Sequence, residues 1–139
     1  MKEITIAYYA LVRISDVKAG DDAAKAQWFP IDKVPALAFD HDLILRRATN
    51  ELRRQIHFEP IGFELLPEKF TMTQLQHLYE AILGVKFDRR NFYTKMHNLG
   101  LLTQLEETVP LVNKKEAYLY SFNPESYNEM KEKGFRLEF

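Results

Sequence analysis

A chain of 139 residues, 46% hydrophobic and 28% charged, suits one ordinary domain or two small ones and is too apolar to be disordered throughout. Its net charge of −1 excludes a protein coated in basic residues, so any nucleic-acid binding must come from a local patch. The absence of cysteine excludes disulfides and thiolate metal sites, and no apolar run approaches the roughly 20 residues of a helical membrane span.

Met1-Lys2-Glu3 leads straight into a strand-like pattern, without the charged and apolar regions of a signal peptide, so a cytoplasmic location is expected. Residues 4–14 are rich in β-branched and aromatic side chains and nearly continuous in hydrophobicity, which predicts a strand buried on both faces. Ser15–Lys25, with Asp16, Gly20, Asp21 and Asp22, reads as a surface loop. Ala26–Phe29 reads as a short second strand stopped by Pro30, and Ile31–Pro35 as a helical turn or loop closed by proline. Asp40 is the expected cap of a helix from about His41 to Ile56. Ile44, Leu45, Ala48, Leu52 and Ile56 recur along it at helical spacing, with Arg46, Arg47, Arg53 and Arg54 flanking the stripe. The plain expectation for these arginines is a solvated face, and the alternatives are salt bridges within a dimer or contact with DNA phosphates.

Phe58–Pro67 breaks both periodicities with Pro60, Gly62 and Pro67, and the domain boundary is placed there. Beyond it Thr71-Met72-Thr73-Gln74 fits a capping box, after which Leu75, Leu78, Tyr79, Ile82 and Leu83 recur at helical spacing until Gly84. Asp88 is a good cap for a second helix, Arg89–Leu99, closed by Gly100, with Phe92, Met96 and Leu99 facing inward. Two strands follow, Leu101–Leu105 and Ala117–Phe122, joined by a long connection, Glu106–Glu116. Asn123-Pro124 then opens a last helix to about Lys133. Helix, turn, helix, strand, long hairpin, strand is the order of a winged helix-turn-helix.

With Phe92, Met96 and Leu99 inward on a wheel of 100° per residue, Arg90, Thr94, His97 and Asn98 point outward with Asn91 beside them, and Arg89, Tyr93 and Lys95 lie on the flanks. Arg can donate twice to guanine and Asn can pair bidentately with adenine, so this face carries the chemistry that reads base edges in a major groove. Arg89, Tyr93, Lys95 and the amides at the helix start suit phosphates. Lys114 and Lys115 at the hairpin tip could add contacts to the backbone or minor groove. The alternative is an ordinary surface helix in a winged helix used for protein contacts.

Catalytic patterns are poor. His41, His57, His77 and His97 lack metal-ligand spacing, Ser15, Ser121 and Ser126 lack a nucleophile context, and five glycines form no phosphate-binding loop. No metal, cofactor or catalytic residue is expected. Met72, Met96 and Met130 are expected to fill core gaps.

Two stretches carry a resemblance. Ile4–Val12, then Ala26-Gln27-Trp28-Phe29-Pro30-Ile31-Asp32 and Leu37-Ala38-Phe39-Asp40-His41, look like the C-terminal half of a Nudix domain of the ADP-ribose pyrophosphatase kind. Phe70–Gln76, Leu78–Gly84 and Asp88–Phe92 resemble the winged helix of Nudix-related transcriptional regulators, those of the NrtR type and their sugar-responsive relatives. A Nudix hydrolase also needs G-x5-E-x7-R-E-U-x-E-E-x-G-U to hold magnesium against a pyrophosphate. Gly62 and Gly100 are each followed six residues later by a glutamate, Glu68 and Glu106, but neither continues with Arg-Glu at the required offset. The first strands and the metal-binding helix of such a domain would lie upstream of Met1, so the chain reads as part of a longer protein or the product of a shortened gene.

The expected fold class is α+β: a truncated Nudix-like segment over 1–58, lacking the Nudix box, then a winged helix DNA-binding domain over 63–139. The resemblance implies the DNA-binding part of a bacterial transcriptional regulator, not an enzyme. Its partners would be double-stranded DNA and a second copy in a homodimer on a palindromic operator, with an ADP-ribose-like nucleotide or a sugar as effector of the complete sensor domain. The alternative function is a fragment of an ADP-ribose pyrophosphatase-type hydrolase, inactive as this chain.

Overall fold

The computed structural model describes residues 4–12, Lys18, Gly20, 24–134 and 136–139. The expected Ser15–Lys25 loop lies mostly outside the described residues. Backbone contacts divide the chain into two units, Met1–Asn50 and Glu51–Phe139. No helix among the described residues is long and apolar enough to cross a membrane.

In the first unit the two expected strands do not form over the described residues: 4–12 and 25–30 carry no regular structure, and Arg13 and Ile14 lie outside the described residues. The reason is physical. Strand amides and carbonyls are satisfied only by a neighbouring strand, and β-branched composition states a preference for a sheet without supplying one. Ile4, Ile6 and Tyr8 are accordingly 92%, 73% and 90% exposed instead of doubly buried. Ile31–Lys33 makes a single 3-10 turn. Helix α1, His41–Gln55, begins immediately after Asp40, whose carbonyl accepts the amide of Ile44 at 3.1 Å. Ile44, Leu45 and Ala48 are half-buried on it, whereas Arg46 and Arg47 are exposed.

The second unit takes up the chain from Glu51. Ile56 is fully buried just past the end of α1. Arg53 donates its Nε to the carbonyl of Ile82 at 3.0 Å, satisfying one of the orphan acceptors at the end of the next helix. The proline- and glycine-punctuated stretch after Phe58 contains a 3-10 helix, Ile61–Leu65, that buries Phe63 against Phe122, the two rings stacked at 4.6 Å. A two-residue strand, β1 (Phe70–Thr71), was not anticipated; it exists because β3 offers it a free edge.

Helix α2 spans Met72–Leu83. The Thr71 Oγ1 accepts the Gln74 amide at 3.2 Å while the Gln74 side chain accepts the Thr71 amide at 2.8 Å, so the capping box forms in both directions. Gly84 ends the helix at φ +69°, where a side chain would be strained. Helix α3 spans Arg89–Leu99, and strands β2 (Leu102–Pro110) and β3 (Glu116–Phe122) follow. Helix α4, Pro124–Glu132, is capped by Asn123, whose side chain accepts from Ser126 at 3.2 Å.

The sheet is antiparallel in the order β1-β3-β2. Phe70 pairs with Tyr120 and Leu102 with Phe122; from Gln104 to Thr108 the edge strand β2 runs four residues against two of β3, a bulge. The hairpin corrects the sequence expectation. Most of the long connection is strand, leaving Leu111–Lys115 as the turn, and Pro110 is tolerated because it ends an edge strand. The core gathers Ile56, Phe63, Phe70, Leu75, Tyr79, Phe92, Met96, Tyr120 and Leu137. Each such side chain contributes about 1.5–3 kcal/mol by leaving water.

Candidate nucleic-acid interface

Helix α3 is fixed at both ends by short-range chemistry. The Asp88 carboxylate accepts the Asn91 amide at 2.9 Å, and Gly100 closes the helix at φ +70° with its amide donating to His97. Its inward stripe is buried, Phe92 at 2% and Met96 at 1% exposure, so the opposite side is turned out by the helical period. Arg89, Arg90, Asn91, Tyr93, Thr94, His97 and Asn98 are all exposed, whereas Leu99 is half-buried. The rings of Tyr93 and His97, one turn apart, lie parallel to within 7° at 6.0 Å.

Lys95 sits differently from the other flanking residues. It is half-buried, its Nζ donates to the carbonyl of Glu138, and it lies over the Phe139 ring at 5.1 Å from the centroid. Residues 136–139, near in space and distant in sequence, hold that ammonium.

Of the clefts that border α3, two bear on the outward set. One, of about 570 Å³, lies between the start of α2, the first half of α3 and the hairpin; it is lined by Thr73, Gln76, Arg89, Arg90, Tyr93 and Tyr118 among others. Glu116 also lines it and accepts a hydrogen bond from the Thr108 hydroxyl at 3.1 Å. On its floor Tyr120 is buried. That burial, with the hydrogen bond to Tyr93 beside it, pushes the Tyr120 hydroxyl up to about 12. The second cleft, of about 670 Å³, lies on the other flank and brings Asn91, Thr94, Lys95 and Asn98 together with Arg136 and Glu138.

The hairpin tip is a tight turn in which Lys114 adopts φ +63° and the Leu111 amide donates to the Lys115 carbonyl at 2.7 Å. Asn113 accepts the Lys115 amide, and the side chains of Lys114 and Lys115 are left exposed. Neither lysine lines the clefts beside α3; Arg89, Arg90, Tyr93 and Thr94 are brought together in the first and Asn91, Thr94, Lys95 and Asn98 in the second. Thr73, Gln76, Tyr118 and Arg136 were absent from the sequence-derived set. The first three lie on elements whose neighbourhood only the fold supplies, and Arg136 had no periodic pattern to mark it.

Chemically, the α3 face offers planar donors, amides and a hydroxyl at the surface with no carboxylate between Arg89 and Leu99, and cations at both of its flanks. Residues 62–122 match the model of the NrtR DNA-binding winged helix domain. The chain is 27% identical over 128 residues to the ADPR responsive transcriptional repressor NtrR of Acinetobacter baylyi, covering 90% of this chain and 51% of that protein. Over 43 residues, 31% of this chain and 25% of the relative, it is 42% identical to the ADP-ribose pyrophosphatase of Methanocaldococcus jannaschii. It shares the fold of Shewanella oneidensis NrtR at 24% identity. The TM-score is 0.58 against the protein crystallised alone, over 84% of this chain and 50% of that one. Against the protein complexed with a 27mer DNA it is 0.57, over 77% and 45%. The chain thus spans about half the length of the repressor it matches. Its homology to that transcriptional repressor runs along most of this chain, and the family match falls on the winged helix of its second unit.

Proposed function

We propose, from the premise that residues 62–122 are an NrtR-type winged helix, that this chain is the DNA-binding part of a Nudix-related transcriptional regulator. The observation that carries the reading is the α3 surface: Arg89, Arg90, Asn91, Thr94, His97 and Asn98 all turned to solvent on a helix held rigidly at both caps. Arg90 and Asn98 would meet base edges in the major groove. Arg89 and Tyr93 would meet phosphates beside it, while Lys114 and Lys115 would reach the backbone from the hairpin.

The protein acts as a homodimer, because one α3 reads too few base pairs for useful specificity and two-fold symmetry doubles the site on a palindromic operator. It works in the cytoplasm, where the operator is, and residues 1–58, without a Nudix box, supply no Nudix catalysis of their own; an intact box in a full-length parent would make that parent a hydrolase. The local likeness to an ADP-ribose pyrophosphatase supports an ADP-ribose-like nucleotide, or a sugar, as the effector of the complete sensor domain. Gel shifts on duplexes taken from upstream of its own operon test the reading. A retarded band that survives excess random-sequence competitor is expected, and equal competition by any duplex would defeat it.

A further inference from the structure

The structure assigns Glu80 and Gln76 a positioning role: together they grip the backbone of Phe87 and thereby set the angle of α3 against α2. The inference rests on the DNA-binding reading only for its functional consequence. Both side chains leave α2 one turn apart and so share a face. Gln76 donates its Nε2 to the Phe87 carbonyl at 3.0 Å, and the Phe87 amide donates to Glu80 Oε2 at 2.8 Å. Both polar groups of a single peptide residue are therefore held from the same helix.

Phe87 is where such a grip has leverage. It immediately precedes Asp88, the cap of α3, and follows the left-handed break at Gly84, so no helical hydrogen bond fixes it. Its ring packs on Phe92 of α3 at 5.5 Å. Glu80 is the one charged side chain among the described residues that is classed as buried, at 7% exposure, and it forms no ion pair among them. Burying a carboxylate is expensive unless it is well hydrogen-bonded, and a carboxylate–amide bond is stronger than a neutral one. A carboxylate on the last turns of α2 also opposes the helix dipole, so helix stability alone does not account for it.

The 11 residues of α3 measure about 16 Å at 1.5 Å rise per residue, so a tilt of about 10° at Phe87 displaces its far end by about 3 Å. Base-edge hydrogen bonds do not survive that displacement, whereas long arginine and lysine side chains follow a phosphate. The grip should therefore govern discrimination between sequences more than general affinity.

Full-length Glu80→Gln, Glu80→Leu and Gln76→Leu proteins test this, with the wild type. Gln keeps an acceptor at the same reach; Leu removes it. Three quantities are read: amide exchange of Phe87, the α2–α3 angle from residual dipolar couplings, and the ratio of affinities for a duplex selected from a random library by the wild type and for its scrambled version. Glu80→Leu should speed Phe87 exchange, turn α3 and lower the affinity ratio about tenfold or more while binding to scrambled DNA holds within about twofold; Glu80→Gln should stay near wild type. Should Glu80→Leu not fold, Gln76→Leu is read by the α2–α3 angle alone, because Gln76 lines the first cleft and holds the Phe87 carbonyl instead of its amide, and an unchanged angle there overturns the grip. An unchanged angle and unchanged Phe87 exchange in folded Glu80→Leu overturns the grip. So does an equal loss in Glu80→Gln, which would point to charge. A wild type that selects no sequence defeats the DNA-binding reading, and the exchange and angle measurements still decide the grip.

Discussion

The Leu137 amide donates to the His57 carbonyl at 2.7 Å, and His57 Nδ1 lies 2.6 Å from the Leu137 carbonyl oxygen, closing a two-bond ring between positions 80 residues apart. A carbonyl oxygen can only accept, so Nδ1 carries the proton. The ring anchors the segment that places Phe139 against Tyr79, Phe87 and Phe92 and brings the Glu138 carbonyl to Lys95. His57→Ala removes one of the two bonds and should cost about 1 kcal/mol, lowering the melting temperature by about 4–8 °C for a domain of this size. Thermal unfolding followed by circular dichroism checks it; a melting temperature within a degree of wild type would mean the ring contributes nothing.

That ring also marks where sequence reading stops. Thr71 with Gln74, Asp88, Gly84, Gly100 and Asn123-Pro124 announced the helix ends because a cap is written in residues three or four apart. The outward set on α3 was legible for the same reason, since Phe92 and Met96 fix which side is buried. The hold on Lys95, the Arg136 flank, the two-residue β1 and the burial of Glu80 depend on partners 7 to 50 residues away and leave no periodic trace. The strands expected over 4–14 and 26–29 failed for the converse reason: their composition was correct for a sheet, but the described residues 4–12 and 25–30 carry no strand. The hairpin turn was overestimated because the connection assigned to Glu106–Glu116 contains Pro110, which is harmless at the end of edge strand β2.

The two ends of the helix pair should both lose stability to alanine, for different reasons. Thr71→Ala deletes the acceptor for the Gln74 amide and should cost about 1 kcal/mol. At Gly100 an added Cβ meets nothing within 4 Å, so Gly100→Ala carries only the strain of a left-handed alanine, about 1–2 kcal/mol. Urea titration should move the midpoint for both with an unchanged slope. A neutral Gly100→Ala would mean that α3 can end without its left-handed stop.

Alkaline stability should be governed by the tyrosines. Burial, then the hydrogen bond with Tyr93, raises Tyr120 to about 12, and burial raises Tyr79 as well. Both folded-state values lie above the ordinary tyrosine value of about 10, so the folded protein binds these protons more tightly than the unfolded chain. Their stabilising contribution is complete below pH about 10 and is lost as pH rises through the folded values. Denaturation midpoints should therefore be level in this respect up to about pH 10 and fall between 10 and 12, with Tyr120→Phe flattening part of the fall. An equal decline in Tyr120→Phe would assign the loss to other groups.

Three cations near α3 should give three different results on DNA. Arg90 is exposed with no partner in an ion pair among the described residues and lines the first cleft, so its guanidinium is available for a bidentate contact with guanine. Arg90→Ala should cost about 1–3 kcal/mol on the preferred sequence and relax the preference at that position. Lys114 projects from the hairpin tip, where a phosphate is the natural partner. Lys114→Ala should weaken all sequences alike and reduce the slope of log K against log salt by about 0.9. Lys95 is already committed to the Glu138 carbonyl and the Phe139 ring, so Lys95→Ala should change DNA binding least and thermal stability most of the three. Fluorescence anisotropy at several salt concentrations, on the selected and scrambled duplexes, separates the cases. Loss of sequence preference in Lys95→Ala with Arg90→Ala unaffected would mean that α3 meets DNA by its C-terminal flank instead of by the face opposite Phe92.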